Sequence, residues 1–247
     1  MENIFKLHRD MPRQGPGDNE STIRAFDMMD LSEGSIKALD LGCGPGMQTV
    51  ELAKHIDGKI IALDFCEKFL EELKETAKIN SVDDEIEPFN GSMFELEKHF
   101  EKESFDFIWS EGAIYILGFE NGINYVKQFI KPEGYLVVSE ITWLTENPSK
   151  EAKDFWGENY PQMGTVASNC EIAKKAGYEV IGTFILPENS WWKNYYDPLK
   201  KRCNMFKEFE PENKELMELI HMTEIEMELF KKYNKDYNYA FYILRKI

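Results

Sequence analysis

The chain of 247 residues carries a formal net charge of −16 at pH 7, and 43% of its residues are hydrophobic. That apolar fraction, which includes 17 Phe, 11 Tyr and 5 Trp, supports a sizeable core and excludes a disordered chain. The acidic balance argues against a nucleic-acid partner, because binding a phosphate backbone requires clustered Lys and Arg. No apolar run approaches the ~20 residues that cross a bilayer, so no membrane partner is expected.

The N-terminal segment contains a predicted loop, a helix and a turn. Pro and Gly are frequent over 11–18, which predicts a loop. A helix is predicted over 19–29 and a turn over 31–35. Residues 1–17 lack the apolar core of a signal peptide, so we expect a cytoplasmic protein.

From residue 36 onward, predicted strands and helices alternate. Such alternation predicts a mostly parallel sheet with helices on both of its faces. The strands are predicted over 36–41, 59–63, 85–89, 105–109 and 134–141, and the helices over 47–56, 67–80, 95–100 and 122–130.

The C-terminal part of the chain departs from this alternation. A helix is predicted over 169–176, a strand over 178–186 and a last strand over 238–245. The acid-rich, amphipathic stretch between the two strands is about 50 residues long, which is too long for an ordinary loop. We therefore expect a helical insertion over 187–237, packed on a single domain that comprises residues 1–247.

The cysteines and histidines are scattered and give no local metal-binding pattern. No C-x-x-C pair is present, which fits a reducing compartment. We therefore expect no bound metal. The residues concerned are Cys43, Cys66, Cys170 and Cys203, with His8, His55, His99 and His221.

A glycine-rich turn, ALDLGCGPG over 38–46, joins the first strand of the alternating region to the helix that follows. Gly42, Gly44 and Gly46 let the backbone approach a ligand that a Cβ atom would obstruct. Asp64 ends the next strand. Because these two strand ends are neighbours in a doubly wound sheet, the Asp64 carboxylate can accept hydrogen bonds from a ribose diol.

Two nucleotide cofactors use this arrangement. A dinucleotide site requires G-x-G-x-x-G, which places a pyrophosphate on the helix N-terminus. Here the spacing is G-x-G-x-G, and Met47 occupies the position of the third dinucleotide glycine. Asp40 would repel a pyrophosphate but suits a cationic ligand such as S-adenosylmethionine (SAM), which carries a sulfonium and an ammonium group. These residues favour SAM.

The segment Asp40–Gly46, with Asp64 downstream, resembles the first two motifs of class I SAM-dependent methyltransferases. The resemblance extends over 36–142. Asn90–Met93 is similar to the segment of the family that frames the adenine, and Phe105–Glu111 is similar to its fourth strand and strand exit.

Lys131–Leu136 is similar to the family's turn into the fifth strand, with Ile130 and Glu133 as departures, and Ser92 replaces an acidic residue of many members. The resemblance implies a Rossmann-like, seven-stranded, mostly parallel sheet with one antiparallel strand. It also implies that SAM is the cofactor and S-adenosylhomocysteine the product. The three parts are an N-terminal lid over 1–35, a SAM-binding core over 36–142 and substrate-side decorations over 143–247. The implied cofactor contacts are Asp40, Gly42, Gly44, Gly46, Asp64, Phe65, Ser92, Met93 and Glu111.

More narrowly, Arg13–Gly17 with Glu20–Thr22, and Ser110–Tyr115, resemble a bacterial and archaeal subgroup of small-molecule methyltransferases. Enzymes that methylate nucleic-acid bases carry [DN]-P-P-[YF] or Pro-Cys after the fourth strand. This chain has SEGA over 110–113 instead. A small-molecule substrate is therefore expected.

Glu111 leaves the fourth strand at the edge of the sheet where ligands bind, and Tyr115 follows it, so both are candidate catalytic residues. Arg13 and Glu20 are candidate substrate contacts in the N-terminal segment. Aromatic side chains that follow the fifth strand can enclose an apolar or cationic substrate, and packing of the insertion is the alternative role for each. The aromatic candidates are Trp143, Tyr160 and Trp191.

Three functions fit these observations. The first is methyl transfer to N, O or S of a small molecule by in-line displacement, in which the protein mainly holds the nucleophile aligned. The second is a SAM-binding regulatory module without turnover, and the third is an RNA or protein methyltransferase. We expect a monomer or a homodimer.

Overall fold

A seven-stranded sheet runs through the protein, which the computed structural model describes over residues 2–32 and 34–247. The predicted turn over 31–35 includes Glu33, which lies outside the described residues, as does Met1. The strands are β1 (Ile36–Leu41), β2 (Gly58–Asp64), β3 (Ile86–Asn90), β4 (Phe105–Glu111), β5 (Ile130–Trp143), β6 (Tyr178–Ile185) and β7 (Tyr237–Lys246).

The strand order is β3-β2-β1-β4-β5-β7-β6. Strands β1 to β5 pair in parallel, whereas β7 runs antiparallel to both β5 and β6. The predicted mostly parallel sheet with one antiparallel strand is confirmed. Because parallel strands end at the same edge of a sheet, Leu41, Asp64 and Glu111 come together there.

Helices cover both faces of the sheet. Successive strand residues point to opposite faces, so Ala38 packs in the hydrophobic cluster of one face and Leu39 in that of the other. The α-helices are α1 (Glu2–His8), α2 (Asn19–Phe26), α3 (Met47–Ala53), α4 (Glu67–Ile79), α5 (Phe119–Val126), α6 (Lys150–Asn159), α7 (Val166–Lys175), α8 (Glu188–Trp191), α9 (Asp197–Phe209) and α10 (Lys214–Tyr233). Short 3-10 helices span Met93–Lys98, Ile114–Leu117 and Lys127–Phe129, and a π-helical turn spans Trp192–Tyr196. No helix in the described part of the chain is long and apolar enough to cross a membrane.

Some elements differ from the prediction. The predicted turn over 131–134 lies inside β5, where Glu133 adopts a φ of 63° and the pairing with β4 shifts register. The insertion over 187–237 is helical as predicted, formed by α8, the π-helical turn, α9 and α10. Helices α1 and α6 were not predicted. Helix α1 has 7 residues, too few for a hydrophobic period to be recognised.

Helix α1 is attached to the insertion. Arg202 of α9 donates from Nε to the Leu7 carbonyl and from Nη2 to the Lys6 carbonyl, both at 2.6 Å. Lys6 also pairs with Glu210 at 2.5 Å. Because the last carbonyl groups of a helix lack partners within it, the Arg202 guanidinium caps α1 and holds it on the insertion.

We expect Arg202→Ala to release α1 locally while the sheet stays folded. Hydrogen bonds to a charged group contribute roughly 1.5–3 kcal/mol, so the amide hydrogens of residues 2–10 should exchange about tenfold faster or more. Hydrogen–deuterium exchange measures this. The control is Arg245→Ala, which breaks a pair with Glu179 at the far end of β7. Equal protection of residues 2–10 in both variants would contradict the capping role.

Candidate active site

The loop after β1 turns back over the end of β2. The backbone N–H groups of Gly42 and Cys43 both donate to the Leu63 carbonyl, at 2.8 and 3.0 Å. Gly46 has a φ of 80°, and a Cβ atom there would lie 2.1 Å from Leu73 Cδ1. Only glycine therefore fits between the loop and α4 at this position.

Asp64 joins this loop to the end of β2. Its Oδ2 accepts from the Gly44 N–H at 2.9 Å, and its Oδ1 accepts from the Cys66 N–H at 2.8 Å. Burial raises the pKa of Asp64, and these backbone hydrogen bonds oppose the rise. A carboxylate has about four acceptor positions, so Asp64 keeps the capacity to accept from a diol.

Asp40 lies beneath the loop and is fully buried. Its Oδ2 accepts from Thr49 Oγ1 at 2.5 Å and from Gln48 Nε2 at 3.2 Å, while its Oδ1 has no partner among the described residues. Burial raises the pKa of Asp40 to about 7, although the Thr49 hydrogen bond opposes the rise. Asp40 thus packs against Gln48 and Thr49 of α3, and its contact with the cofactor stays a prediction.

A buried ion pair connects the N-terminal segment to the end of β4. Arg13 Nη1 donates to Glu111 Oε2 at 2.7 Å, and both side chains are almost fully buried. The other carboxylate oxygen, Oε1, accepts from Thr22 Oγ1 at 2.7 Å and from Trp109 Nε1 at 3.0 Å. Arg13 also donates from Nη2 to Asn19 Oδ1 at 3.1 Å. Glu111 is therefore held rigidly as a negative charge at the carboxyl edge of the sheet.

A cavity of about 950 Å³ opens at this edge. It lies between the glycine loop, the ends of β2 and β4, and residues 12–16. Phe65 and Phe94, which are 60% and 58% exposed, present aromatic faces to it. Ligand pockets measure roughly 300–1,000 Å³, so this one has room for a nucleoside and a small second ligand. The predicted site residues on its wall are Arg13, Gly42, Gly44, Asp64, Phe65, Ser92, Met93, Glu111 and Tyr115.

Other predicted site residues lie outside the cavity wall. Trp191 is buried, and its ring stacks on Phe230 with centroids 3.9 Å apart, which corresponds to the alternative role of packing the insertion. Trp143 packs edge-to-face on Tyr237 at 6.2 Å. Glu20 is exposed in the first turn of α2. The residues outside the wall are Asp40, Gly46, Glu20, Trp143, Tyr160 and Trp191.

Helix α1 contributes wall residues that the sequence did not reveal. Phe5 and His8 line the cavity, together with Gln14 from the predicted loop. Phe5 packs on Phe69 at 5.3 Å, and burial lowers the pKa of His8. Within the ranges that the structure describes, no group of three or more His, Cys, Asp or Glu side chains could hold a metal ion.

Comparisons with known proteins identify the family and the fold of the chain. The methyltransferase domain family matches residues 32–223. The demethylmenaquinone methyltransferase of Lactococcus lactis is 35% identical over 147 residues, which are 56% of this chain and 55% of that protein. The sterol 24-C-methyltransferase of Candida albicans is 25% identical over 162 residues, which are 62% of this chain and 42% of that protein. The chain thus spans about half the length of these curated relatives.

Solved structures share the whole fold. YjhP of E. coli superposes with a TM-score of 0.86 at 16% identity, over 100% of both chains. A SAM-dependent methyltransferase of Geobacter sulfurreducens, solved with S-adenosylhomocysteine, superposes with a TM-score of 0.83 at 16% identity, over 100% of this chain and 98% of that one. At 16% sequence identity, this structural similarity establishes the fold of the chain.

We expect Asp40→Asn to change how stability depends on pH. The folded-state pKa of Asp40 is raised from 3.8 to about 7, so the folded chain binds more protons than the unfolded chain within that window. As the pH rises from about 4 to about 7, the wild-type free energy of unfolding therefore decreases. The free energy of unfolding of the variant does not show this decrease. The difference between the variant and the wild type should therefore rise by about 2–4 kcal/mol between about pH 4 and pH 8.

Urea unfolding of the ligand-free proteins at several pH values measures this difference. Asp83→Asn, which changes an exposed carboxylate, is the control and should give a difference that is flat with pH. A flat difference for Asp40→Asn would show that the buried carboxyl titrates normally.

Arg13→Met should destabilise the protein strongly, because it leaves the Glu111 charge buried without its cation. Breaking such a pair costs about 3–5 kcal/mol. The matched control is Lys150→Met, which removes an exposed pair with Asp154 and should cost less than about 1 kcal/mol. Denaturant unfolding compares the two variants, and similar costs would mean that the Arg13 pair is not structurally important.

Proposed function

We propose that this chain, which belongs to the methyltransferase domain family, binds SAM and transfers its methyl group to a nitrogen, oxygen or sulfur atom of a small molecule. S-Adenosylhomocysteine is the product. The observation that carries the proposal is the hydrogen bond between Gly44 and Asp64 on the wall of a cavity with room for a nucleoside cofactor and an acceptor.

The nucleoside half of the cofactor fits the side of the cavity formed by β2 and the segment after β3. Asp64 is preorganised by its two backbone hydrogen bonds, so it can accept from both hydroxyl groups of the ribose. The exposed ring of Phe65 and the thioether of Met93 offer apolar faces for the adenine. Ser92 Oγ accepts from the Phe94 N–H at 3.2 Å, which leaves its own proton for an adenine nitrogen.

The amino-acid half of the cofactor fits the opposite end of the cavity. There, Arg13 and Glu111 present a cationic and an anionic group side by side, which matches a ligand end that carries both a carboxylate and an ammonium group. Gly42 lets the loop pack closely on the chain after β4, because a Cβ atom there would lie 2.6 Å from the Ala113 Cβ. The two ends of the cavity thus orient the cofactor in one direction.

Methyl transfer by in-line displacement depends mainly on positioning. When bound, the cofactor supplies an electrophilic methyl group on a sulfonium. Residues 12–16 and the side chains of Phe5 and His8 on α1 form part of the cavity wall, and we propose that they restrict the access of water to the bound cofactor. Tyr115 on the wall is placed to orient the acceptor. Residues 2–16 therefore serve as the lid.

A small cytoplasmic metabolite fits the site better than a polymer. The cavity is partly closed by the N-terminal segment, and the chain carries a net charge of −16. An acidic protein repels the phosphates of RNA. We expect no salt-dependent retention of RNA.

Asp64→Ala should weaken SAM binding by about 10-fold to 100-fold, because hydrogen bonds to a charged group contribute roughly 1.5–3 kcal/mol. Isothermal titration calorimetry measures the affinity. Glu158→Ala, which removes an exposed carboxylate on α6, is the control and should bind as the wild type does. A folded wild type that does not bind SAM would refute the proposal.

Turnover separates an enzyme from a regulatory module. The release of S-adenosylhomocysteine is measured with a panel of small amines, phenols and thiols. We expect release with at least one class of acceptor. Tight SAM binding with no release across the panel would favour the module without turnover.

A further inference from the structure

We propose that His8 is a catalytic residue, which takes the proton from the hydroxyl group of a phenolic acceptor as that oxygen receives the methyl group. This inference rests on the proposed methyltransferase function and names the acceptor class and the base of the same site.

His8 is connected to the glycine loop through one side chain. It is the last residue of α1 and lines the cofactor cavity. Gln14 Nε2 donates to the His8 carbonyl at 3.1 Å, and Gln14 Cγ lies 3.2 Å from the position that a Cβ atom at Gly44 would occupy. Gly44 in turn donates to Asp64. These contacts place His8 beside the loop on which the cofactor is proposed to lie.

The hydrogen bond of the imidazole determines which nitrogen is available. His8 Nδ1 lies 3.0 Å from the Ile4 carbonyl oxygen, which can only accept, so Nδ1 carries the proton of the neutral ring. The ring also stacks on Tyr195, with centroids 6.2 Å apart. Nε2 has no hydrogen-bond partner among the described residues, and His8 keeps accessible surface. The lone pair of Nε2 is thus free to accept a proton.

The surroundings of His8 favour the neutral imidazole. Burial lowers the pKa of His8, the hydrogen bond to Ile4 opposes this, and the Arg202 guanidinium lowers the pKa further. Arg202 stays close to the ring, because it is bonded to the Leu7 and Lys6 carbonyls. A neutral imidazole can act as a general base.

The four carboxylates on the described wall are engaged or exposed. Asp64 accepts from two backbone N–H groups, and Glu111 pairs with a guanidinium and accepts two further hydrogen bonds. Glu2 and Glu67 are exposed, so water solvates them. No other histidine lines the described wall. His8 is therefore the base that the wall offers to a bound acceptor.

The side chains around His8 favour an uncharged aromatic acceptor. Ile4 and Phe5 precede it on α1, and Ile116 lies on the same cavity wall. Ile4 and Ile116 are 51% and 49% exposed, so an apolar ligand gains by covering them. The charge of Arg202 disfavours an ammonium group beside the ring. Among uncharged hydroxyl groups, that of a phenol has a pKa of about 10 and gives up its proton far more readily than an alcohol does.

The reaction transfers a proton and a methyl group in opposite directions. The phenolic O–H bond breaks, and the proton passes to His8 Nε2, which forms an imidazolium. An oxygen lone pair forms the O–C bond, while the methyl–sulfur bond breaks and its electron pair stays on sulfur. The products are an aryl methyl ether and S-adenosylhomocysteine, and the imidazolium returns its proton to water.

The first measurement is NMR of the protein with isotope-labelled histidine, saturated with S-adenosylhomocysteine. Phenol is compared with anisole, its methyl ether, which has no proton to donate. We expect phenol, and not anisole, to shift the His8 Nε2 resonance, because only phenol can donate to that nitrogen. His221, which is exposed on α10, is the internal control and should respond to neither.

The second measurement is turnover of His8→Asn with two phenols at about pH 8. The Asn amide retains a donor for the Ile4 carbonyl but lacks Nε2. Phenol is protonated at that pH, so its kcat/KM should fall by about 100-fold or more. 4-Nitrophenol is mostly ionised there and needs no base, so its kcat/KM should fall by less than about threefold. A merely structural role would lower both equally.

His221→Asn is the matched control and should methylate both phenols as the wild type does. An unchanged Nε2 resonance, equal losses for the two phenols, or phenol turnover by His8→Asn at the wild-type level would each overturn the role of His8. A wild type that binds SAM but releases S-adenosylhomocysteine with no phenol would also overturn it. In all four cases SAM binding, and turnover with amines or thiols, would leave the proposed function standing.

Discussion

The buried ion pair between Arg13 and Glu111 joins two segments that are far apart in the chain. Glu111 ends β4 at the carboxyl edge of the sheet, and Arg13 precedes α2. Removing two charges from water is costly, so such a pair is maintained only where further hydrogen bonds satisfy it. Thr22 and Trp109 supply those bonds to the carboxylate. The N-terminal segment is thereby held over the edge of the sheet, and the cavity exists between the two.

The two halves of the site are built by different parts of the chain. The sheet and its glycine loop form the side that suits a nucleoside, through backbone groups and Asp64. The N-terminal segment forms part of the cavity wall and is attached to the insertion: the Gly17 N–H donates to the Ser190 carbonyl at 3.4 Å, and Arg202 caps α1. A change in the insertion can therefore shift the N-terminal segment while the glycine loop and Asp64 keep their geometry.

Buried carboxyl groups with unpartnered oxygens occur on β1 and on β5 in the described part of the protein. Asp40 and Glu140 each carry at least one oxygen without a hydrogen-bond partner among the described residues, and burial raises the pKa of each. Such groups lower the stability of the ligand-free protein.

Local spacing was enough to predict the sheet, the glycine loop and the place of Asp64, because hydrophobic periodicity and the shared edge of parallel strands determine them. The spacing of residues along the sequence could not distinguish the role of Trp191, which packs in the core, from that of Tyr115, which lines the cavity. Which face an aromatic side chain presents depends on what packs against it. The sequence by itself therefore determined the fold class and the cofactor loop. Only the tertiary structure decided that Arg13 and Glu111 form a buried pair, because 98 residues of chain separate them and packing alone brings them together.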